Sequence, residues 1–494
     1  MRRAGRLGVV PRSLAGTLVF AASAAVLVLE TLGARLLAPY VGVTLETFTA
    51  IIGTALAGIA LGTWAGGTLA DRVDPRRLLG PQLVLGGALT LCVVPAVRAV
   101  GPSVPAADPL ALLLLAIISV FPAAAVLSSV SPTVVKLTLD NLGETGRVVG
   151  GLSGLGTAGA IFGTLVTGFV LVAALPTPAI LTALGALLLT AGAVLWAWLR
   201  RQPLGLLLPL LALGAGGGAL TLVLDGPCER ESAYFCARVL PDPDRASGRL
   251  LRLDILDHSY VDLEDHRHLA FSYTQMMAAA IDASTGGPVD AVHIGGGGFT
   301  LPRWLSATRP GSASVVLELD PVLVDLARDE LGLVTGEDLR VDVGDARISL
   351  RELAPAAPTS VIGDAFGGLS VPWHLTTVEF TEQVADVLRP DGLYLVNLID
   401  RASLRFLRAE LATLGEVFPH VAVISPPERF EVGGNFVLVA GAEPLDAAAV
   451  RASTAVEHDL EVEVLQGAAL DELVDGERPL RDDFAPVDQL LQKQ

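Results

Sequence analysis

Apolar residues gather in seven long runs over the first half of the chain, at 13–33, 45–69, 79–100, 109–130, 148–172, 177–198 and 203–224. A helical membrane span needs about 20 such residues, so the pattern predicts seven helices crossing a bilayer. Beyond residue 224 the rhythm changes. Residues 231–262 alternate as strands around a turn at Pro241-Asp-Pro-Asp-Arg245, which predicts a small β-hairpin region. From 289 onward short apolar strands alternate with helix-compatible segments: Val289–Ile294, then a helix over 300–308, Val315–Leu317, a helix over 321–331, Leu339–Val341, Ser360–Ile362 and Leu393–Ile399. Val421–Ser425 and Phe436–Ala440 read as a closing antiparallel pair. Strands alternating with helices predict a doubly wound, mostly parallel sheet.

Charge divides the chain at the same place. It holds 34 basic and 52 acidic residues, of which thirteen and seven precede residue 225, leaving twenty-one and forty-five after it. The first part is therefore +6 and the second −24. Only 17% of residues are charged and the mean hydropathy is +0.58, against about 25% charged for a soluble domain. The expected organisation is a transmembrane domain over 1–224 and a β-rich subdomain over 225–288. A nucleoside-binding α/β domain over 289–445 and a C-terminal tail over 446–494 follow. Nucleic acid wants a basic face, so the acidic second part excludes it as a partner. A cationic ligand suits that part, as does a merely solvated surface.

Basic residues in short loops orient the spans. With the N-terminus inside, the inner segments carry Arg2, Arg3, Arg6, Arg12, Arg72, Arg76, Arg77, Lys136, Arg147, Arg200 and Arg201, and the outer ones only Arg35 and Arg98. Seven spans then place the acidic domain on the non-cytoplasmic side of the cell membrane. Cys228 and Cys236, eight residues apart just past the last span, could form a disulfide there. Small residues at four-residue spacing (Gly58/Gly62/Gly66, Gly150/Gly154, Gly159/Gly163) predict close helix packing in lipid. Glu30 in the first span, one turn before Arg35, is either a functional intramembrane carboxylate or half of an ion pair at the outer interface.

Candidate chemistry sits where the strands end. Gly295, Gly296, Gly297 and Gly298 follow the first strand of the α/β domain and open a helix, an arrangement that lets backbone approach a ligand. Glu318 lies 23 residues past Gly295 at the end of the second strand, where a carboxylate can accept both hydroxyls of a ribose. Asp345 and Asp364 close the third and fourth strands. A pyrophosphate site would not gather these anions, whereas a ligand carrying a sulfonium or an amine would. No metal site is expected.

These residues resemble the spermidine/spermine synthase (aminopropyltransferase) family, in its bacterial branch with N-terminal transmembrane helices. Glu231-Ser-Ala-Tyr234 is similar to the family's opening-strand motif, His293-Ile-Gly-Gly-Gly297 to its glycine loop and Glu318-Leu-Asp320 to its ribose-binding acidic pair. Gly344-Asp345-Ala346 matches its adenine-side Asp, and Val361-Ile-Gly-Asp364 the strand with its catalytic Asp. The stretch around His374 looks typical of the membrane-fused branch. Three positions depart: Gly298 stands for an Asp, Gly367 for the second Asp of a D-x-x-D pair, and Tyr273-Thr274-Gln275 for Tyr-His-Glu.

The resemblance implies a Rossmann-like, class I methyltransferase-type α/β domain. It implies no tightly bound cofactor, with decarboxylated S-adenosylmethionine or S-adenosylmethionine as co-substrate. Gly295, Gly296, Gly297, Glu318, Asp320 and Asp345 would hold the donor, Asp364 would act in catalysis, and Tyr273, Gln275 and His374 would meet the acceptor. The implied reaction is aminopropyl transfer to an amine or polyamine. The same pocket could instead serve a methyltransferase or a non-catalytic sensor or transport-linked module. The lipid bilayer is the other expected partner, and a homodimer is left open.

Overall fold

A computed structural model describes residues 11–105, 108–139, 142–199, 204–353, 357–368 and 370–491, and divides the chain into two compact units, Met1–Cys236 and Ala237–Gln494. Arg2, Arg3, Arg6, Arg200 and Arg201, used above for orientation, lie outside the described residues.

The first unit is helical. Six helical stretches, Arg12–Val41, Leu45–Arg72, Pro75–Ser103, Pro109–Thr138, Thr145–Ala174 and Thr177–Leu199, are long and apolar enough to cross a bilayer. A further apolar helix, Leu207–Val223, has 17 residues, about 25 Å at 1.5 Å per residue. Large apolar side chains face outward from these helices: Leu222 is 86% exposed and Phe169 79%. In water that surface would be costly; in lipid it is the favourable one.

Small residues set the helix contacts, but selectively. A Cβ on Gly62 or Gly159 would run into the backbone of Ala125 or Phe20. Added at Gly150 or Gly154, it would meet nothing within 4 Å. The expected packing role thus holds for Gly58/Gly62/Gly66 and Gly159/Gly163, while the Gly150/Gly154 pair is not used within the chain.

The two ends of the bundle differ. At one end Asp71 pairs with Lys136 (2.7 Å) and Glu144 with Arg147 (2.9 Å). At the other, Arg98 Nη1 donates to the carbonyls of Thr221 and Leu224, both at 2.7 Å, capping the last helix. Arg35 turns to Glu231 (3.3 Å) and to the carbonyls of Ser232 and Ala233 rather than to Glu30. Glu231 also accepts from the backbone N–H (3.1 Å) and hydroxyl (2.5 Å) of Thr177. Cys228 and Cys236 are joined by a disulfide. Strand β1 (Arg230–Glu231) ends this unit's secondary structure, and β2 (Cys236–Pro241) begins at the unit boundary.

In the second unit β2, β3 (Gly248–Leu253) and β4 (Leu256–Asp262) pair antiparallel, with a register shift at Leu251/Arg252. The large sheet contains β5 (Asp290–Ile294), β6 (Ala313–Glu318), β7 (Leu339–Val343), β8 (Ser360–Gly363), β9 (Leu393–Arg401), β10 (His420–Ser425), β11 (Gly433–Gly441) and β12 (Glu463–Gln466), in the order β12-β10-β11-β9-β8-β5-β6-β7. The strands from β7 through β9 are parallel and the rest antiparallel. The central parallel strands β5, β8 and β9 are buried on both faces, as parallel strands between helices must be, whereas the edge strand β7 is not.

The sheet does not stop at 445. The stretch expected as a tail contributes β12 and the helices Ala447–His458 and Ala468–Val474. After β5 the chain winds to one side, through β6 and β7. After β8 it winds to the other. The order therefore reverses between β5 and β8, and ligands of open α/β sheets bind in the crevice outside such a reversal.

Candidate active site

Gly295 leaves β5 at φ +92°, and any Cβ there would collide with the backbone of Asp364, the residue that leaves β8 beside it. Only glycine tolerates both that φ and that approach. The two strand ends at the reversal are thereby tied, with the Asp364 N–H donating to the Ile294 carbonyl at 2.8 Å. The rest of the glycine loop is held from three sides. Glu318 Oε2 accepts from the N–H groups of Gly296 (2.7 Å) and Gly297 (3.3 Å). Ser259 Oγ accepts from Gly298 N–H at 3.0 Å. Buried Arg303 donates to the Gly298 carbonyl at 3.1 Å, and burial lowers its pKa to about 10. Gly298 abuts β4: a Cβ there would sit 2.7 Å from that of Ser259, so the Asp expected by resemblance has no room.

The predicted acidic residues divide by role. Glu318 is buried, and burial raises its pKa against the opposing hydrogen bonds from Asp320, Gly296 and Gly297. Its Oε1 accepts from Asp320 N–H at 2.8 Å. A carboxylate offers about four lone-pair sites, and three N–H groups already use this one. One ribose hydroxyl fits the remaining site; a second would compete with Gly297, the longest of the three bonds. Asp320 and Asp345 cap the helices Pro321–Glu330 and Ala346–Glu352. Oδ2 of Asp320 is buried without a hydrogen-bond partner among the described residues. Asp345 Oδ2 faces His374 Nε2 at 3.2 Å, which puts His374 on the side of the sheet edge where β7 ends. Arg347 secures that loop, donating to the His374 carbonyl at 3.0 Å and pairing with Asp482 at 2.6 Å.

Asp364 lies on the wall of a cavity of about 470 Å³, together with Tyr273, Gly296 and Gly297. Its Oδ1 accepts from Asn397 Nδ2 at 2.9 Å, and Asn397 Oδ1 in turn accepts from Asn435 Nδ2 at 3.0 Å. The Tyr273 hydroxyl faces both this carboxylate and the His258 carbonyl, 3.5 Å away; the carboxylate is the stronger acceptor. Burial raises the pKa of Asp364, while the bonds from Asn397 and Tyr273 oppose the rise. Gln275 is not on this wall: its Nε2 donates to the Leu269 carbonyl at 2.7 Å.

His258, Ser259, Asn397 and Asn435 are among the wall residues that have no place in the sequence reading. One signal existed for Asn397, a buried amide interrupting an otherwise apolar strand. Burial lowers the pKa of His258 to about 4, against the opposing charge of Asp257. The imidazole is therefore uncharged near neutrality.

No family model matches the chain. Polyamine aminopropyltransferase of Vibrio vulnificus is 29% identical over 182 residues, 36% of this chain and 58% of that protein. The aminopropyltransferase of Chromobacterium violaceum is 26% identical over 139 residues, 28% of this chain and 53% of that one. The chain thus spans just over half the length of these curated relatives. Among solved structures, a probable spermidine synthase from Corynebacterium glutamicum is 27% identical with a TM-score of 0.48, covering 53% of this chain and 96% of that one. The chain is similar to polyamine aminopropyltransferases, as its sequence motifs led one to expect.

Proposed function

We propose that the second unit transfers an aminopropyl group from decarboxylated S-adenosylmethionine to an amine. The observation that carries this reading is Asp364, half-buried at the strand-order reversal beside the glycine loop and oriented by Asn397 and Tyr273. The acceptor's nitrogen lone pair forms a bond to the carbon next to S⁺. The C–S bond breaks with its electron pair on sulfur, and neutral methylthioadenosine leaves. The proton the acceptor ammonium loses before attack passes by way of Asp364 to solvent, and the product nitrogen leaves as a secondary ammonium. An alkyl ammonium has a pKa near 10.4, so Asp364 first has to accept a hydrogen bond from the deprotonated amine and hold it in line. A carboxylate whose pKa burial has raised is a better proton acceptor than an ordinary Asp.

The cavity also favours a decarboxylated donor over S-adenosylmethionine. Among the described residues lining it there is no Lys or Arg, Asp257 is paired with Arg252, and Asp364 carries no ion-pair partner, so a donor carboxylate would meet the charge of Asp364 without a cation on the wall to offset it. Purified full-length protein given decarboxylated S-adenosylmethionine and amines is expected to release methylthioadenosine. Release of S-adenosylhomocysteine from S-adenosylmethionine would instead make it a methyltransferase, and consumption of neither donor would leave a binding protein.

The finer reading of location places this unit outside the cytoplasm. It is supported by Arg98 and Arg35, which tie the end of Leu207–Val223 and the segment after it to the bundle end opposite Arg72, Arg76, Arg77, Lys136 and Arg147. That distribution, inside-positive, requires a donor available on the far side. Thiol labelling of intact cells tests it. A membrane-impermeant reagent is expected to modify Cys228 and Cys236 after external reduction and not before. Labelling confined to lysed cells would put the domain in the cytosol.

A further inference from the structure

Decarboxylated S-adenosylmethionine brings two positive charges to the site, its sulfonium and the ammonium of its aminopropyl arm. Against them the described cavity wall offers two carboxylates, Asp364 and Asp257. Asp257 is already matched, since its Oδ1 accepts from Arg252 Nε at 2.7 Å. Asp364 is the carboxylate of this wall without an ion-pair partner among the described residues. The other polar groups on the wall are neutral: the Asn397 and Asn435 amides, bonded to each other, and a His258 imidazole that burial keeps unprotonated near neutral pH. Phenyl rings of Phe271 and Phe366 and the side chain of Ile399 supply apolar surface beside them.

A diamine acceptor reacts through one neutral nitrogen but carries its second as an ammonium. That third positive charge would have to leave water for a wall with no further unpaired carboxylate to receive it, and an unpaired buried charge is strongly disfavoured. The three positions where the resemblance anticipates further carboxylates, 275, 298 and 367, do not supply one. Gln275 is neutral and bonded to Leu269, and residues 298 and 367 are glycine.

Resting on the transfer reading above, we infer that the acceptor is a monoamine with an apolar or neutral tail, and that diamines and polyamines are poor acceptors. A tail of that kind matches the rings of Phe271 and Phe366 and can hydrogen-bond the two amides without an ion.

Butylamine and putrescine, which differ by one amino group on the same four carbons, test it on full-length protein with decarboxylated S-adenosylmethionine present. Initial rates of methylthioadenosine release are compared, or amine binding by calorimetry if nothing is released. Butylamine is expected to be preferred at least tenfold. Equal or better use of putrescine, or binding of neither amine, overturns the inference. Selective binding of butylamine without product release leaves the acceptor class standing and removes the transfer reading instead. Ile399→Asp, opposite Asn435 in the β9–β11 register, adds a carboxylate to the wall and is expected to narrow the preference by about tenfold. An unchanged preference in that variant would show that charge does not set it.

Discussion

Asp364→Asn is expected to lower turnover by about 10²–10⁴, the usual span for a positioned acid–base group, and to weaken binding of the charged donor while affinity for neutral methylthioadenosine stays close to wild type. The substitution is nearly isosteric, and the side-chain oxygen can still accept from Asn397, which contacts Oδ1 at 2.9 Å. It loses the negative charge that offsets the sulfonium and receives the amine proton. The pH dependence separates this role from a purely structural one. Burial raises the Asp364 pKa, so the wild-type rate should fall on the acid side of a pKa above the ordinary 3.9 of Asp, as the carboxylate takes up a proton. The variant should lack that acid limb, because an amide does not titrate there. Turnover within a few-fold of wild type, or an unchanged acid limb, would remove Asp364 from the chemistry.

Glu318→Ala has the next largest expected effect, and on binding rather than on rate. Three N–H groups, of Gly296, Gly297 and Asp320, lose their acceptor together, and the glycine loop loses the side chain that shapes it. A hydrogen bond to a charged group is worth about 1.5–3 kcal/mol, and 1.4 kcal/mol is a factor of ten. Affinity for methylthioadenosine should therefore drop by about tenfold to a hundredfold through the lost ribose contact alone, and further as the loop loosens. Calorimetry with the full-length protein measures the drop. Unchanged affinity would mean that the ribose does not use this carboxylate. Glu318→Gln sharpens the test: the side chain keeps its volume, yet its amide NH₂ faces backbone donors where an oxygen stood.

The large features were legible because they depend on local pattern. Twenty-residue apolar runs can satisfy their backbone in lipid only as helices, and the observed helices follow those runs closely. The α/β alternation, the hairpin ahead of it and the closing antiparallel pair were likewise readable from period and turn residues. Gly295, Glu318, Asp345 and Asp364 were readable as strand-end residues, and the structure places them at or just past the ends of β5, β6, β7 and β8. The tail after 445 was not legible. Glu463–Gln466 is four residues long and becomes a strand only because β10 offers it an edge.

The sequence by itself determined the two kinds of secondary-structure pattern and the strand ends that carry the acidic residues, because hydrophobic period and charge act locally along the chain; the compact units divide at Cys236 and Ala237. Tertiary structure alone decided which of those residues meet. Asn397 and Asn435 are 38 positions apart and reach Asp364 only through the pairing of β8, β9 and β11. Gln275, two positions from the wall residue Tyr273, is turned away to Leu269 by its place on a helix. Gly298 has no room for an Asp because Ser259, 39 residues earlier, lies against it. Contacts at such separations are set by strand order and packing, which no local pattern encodes.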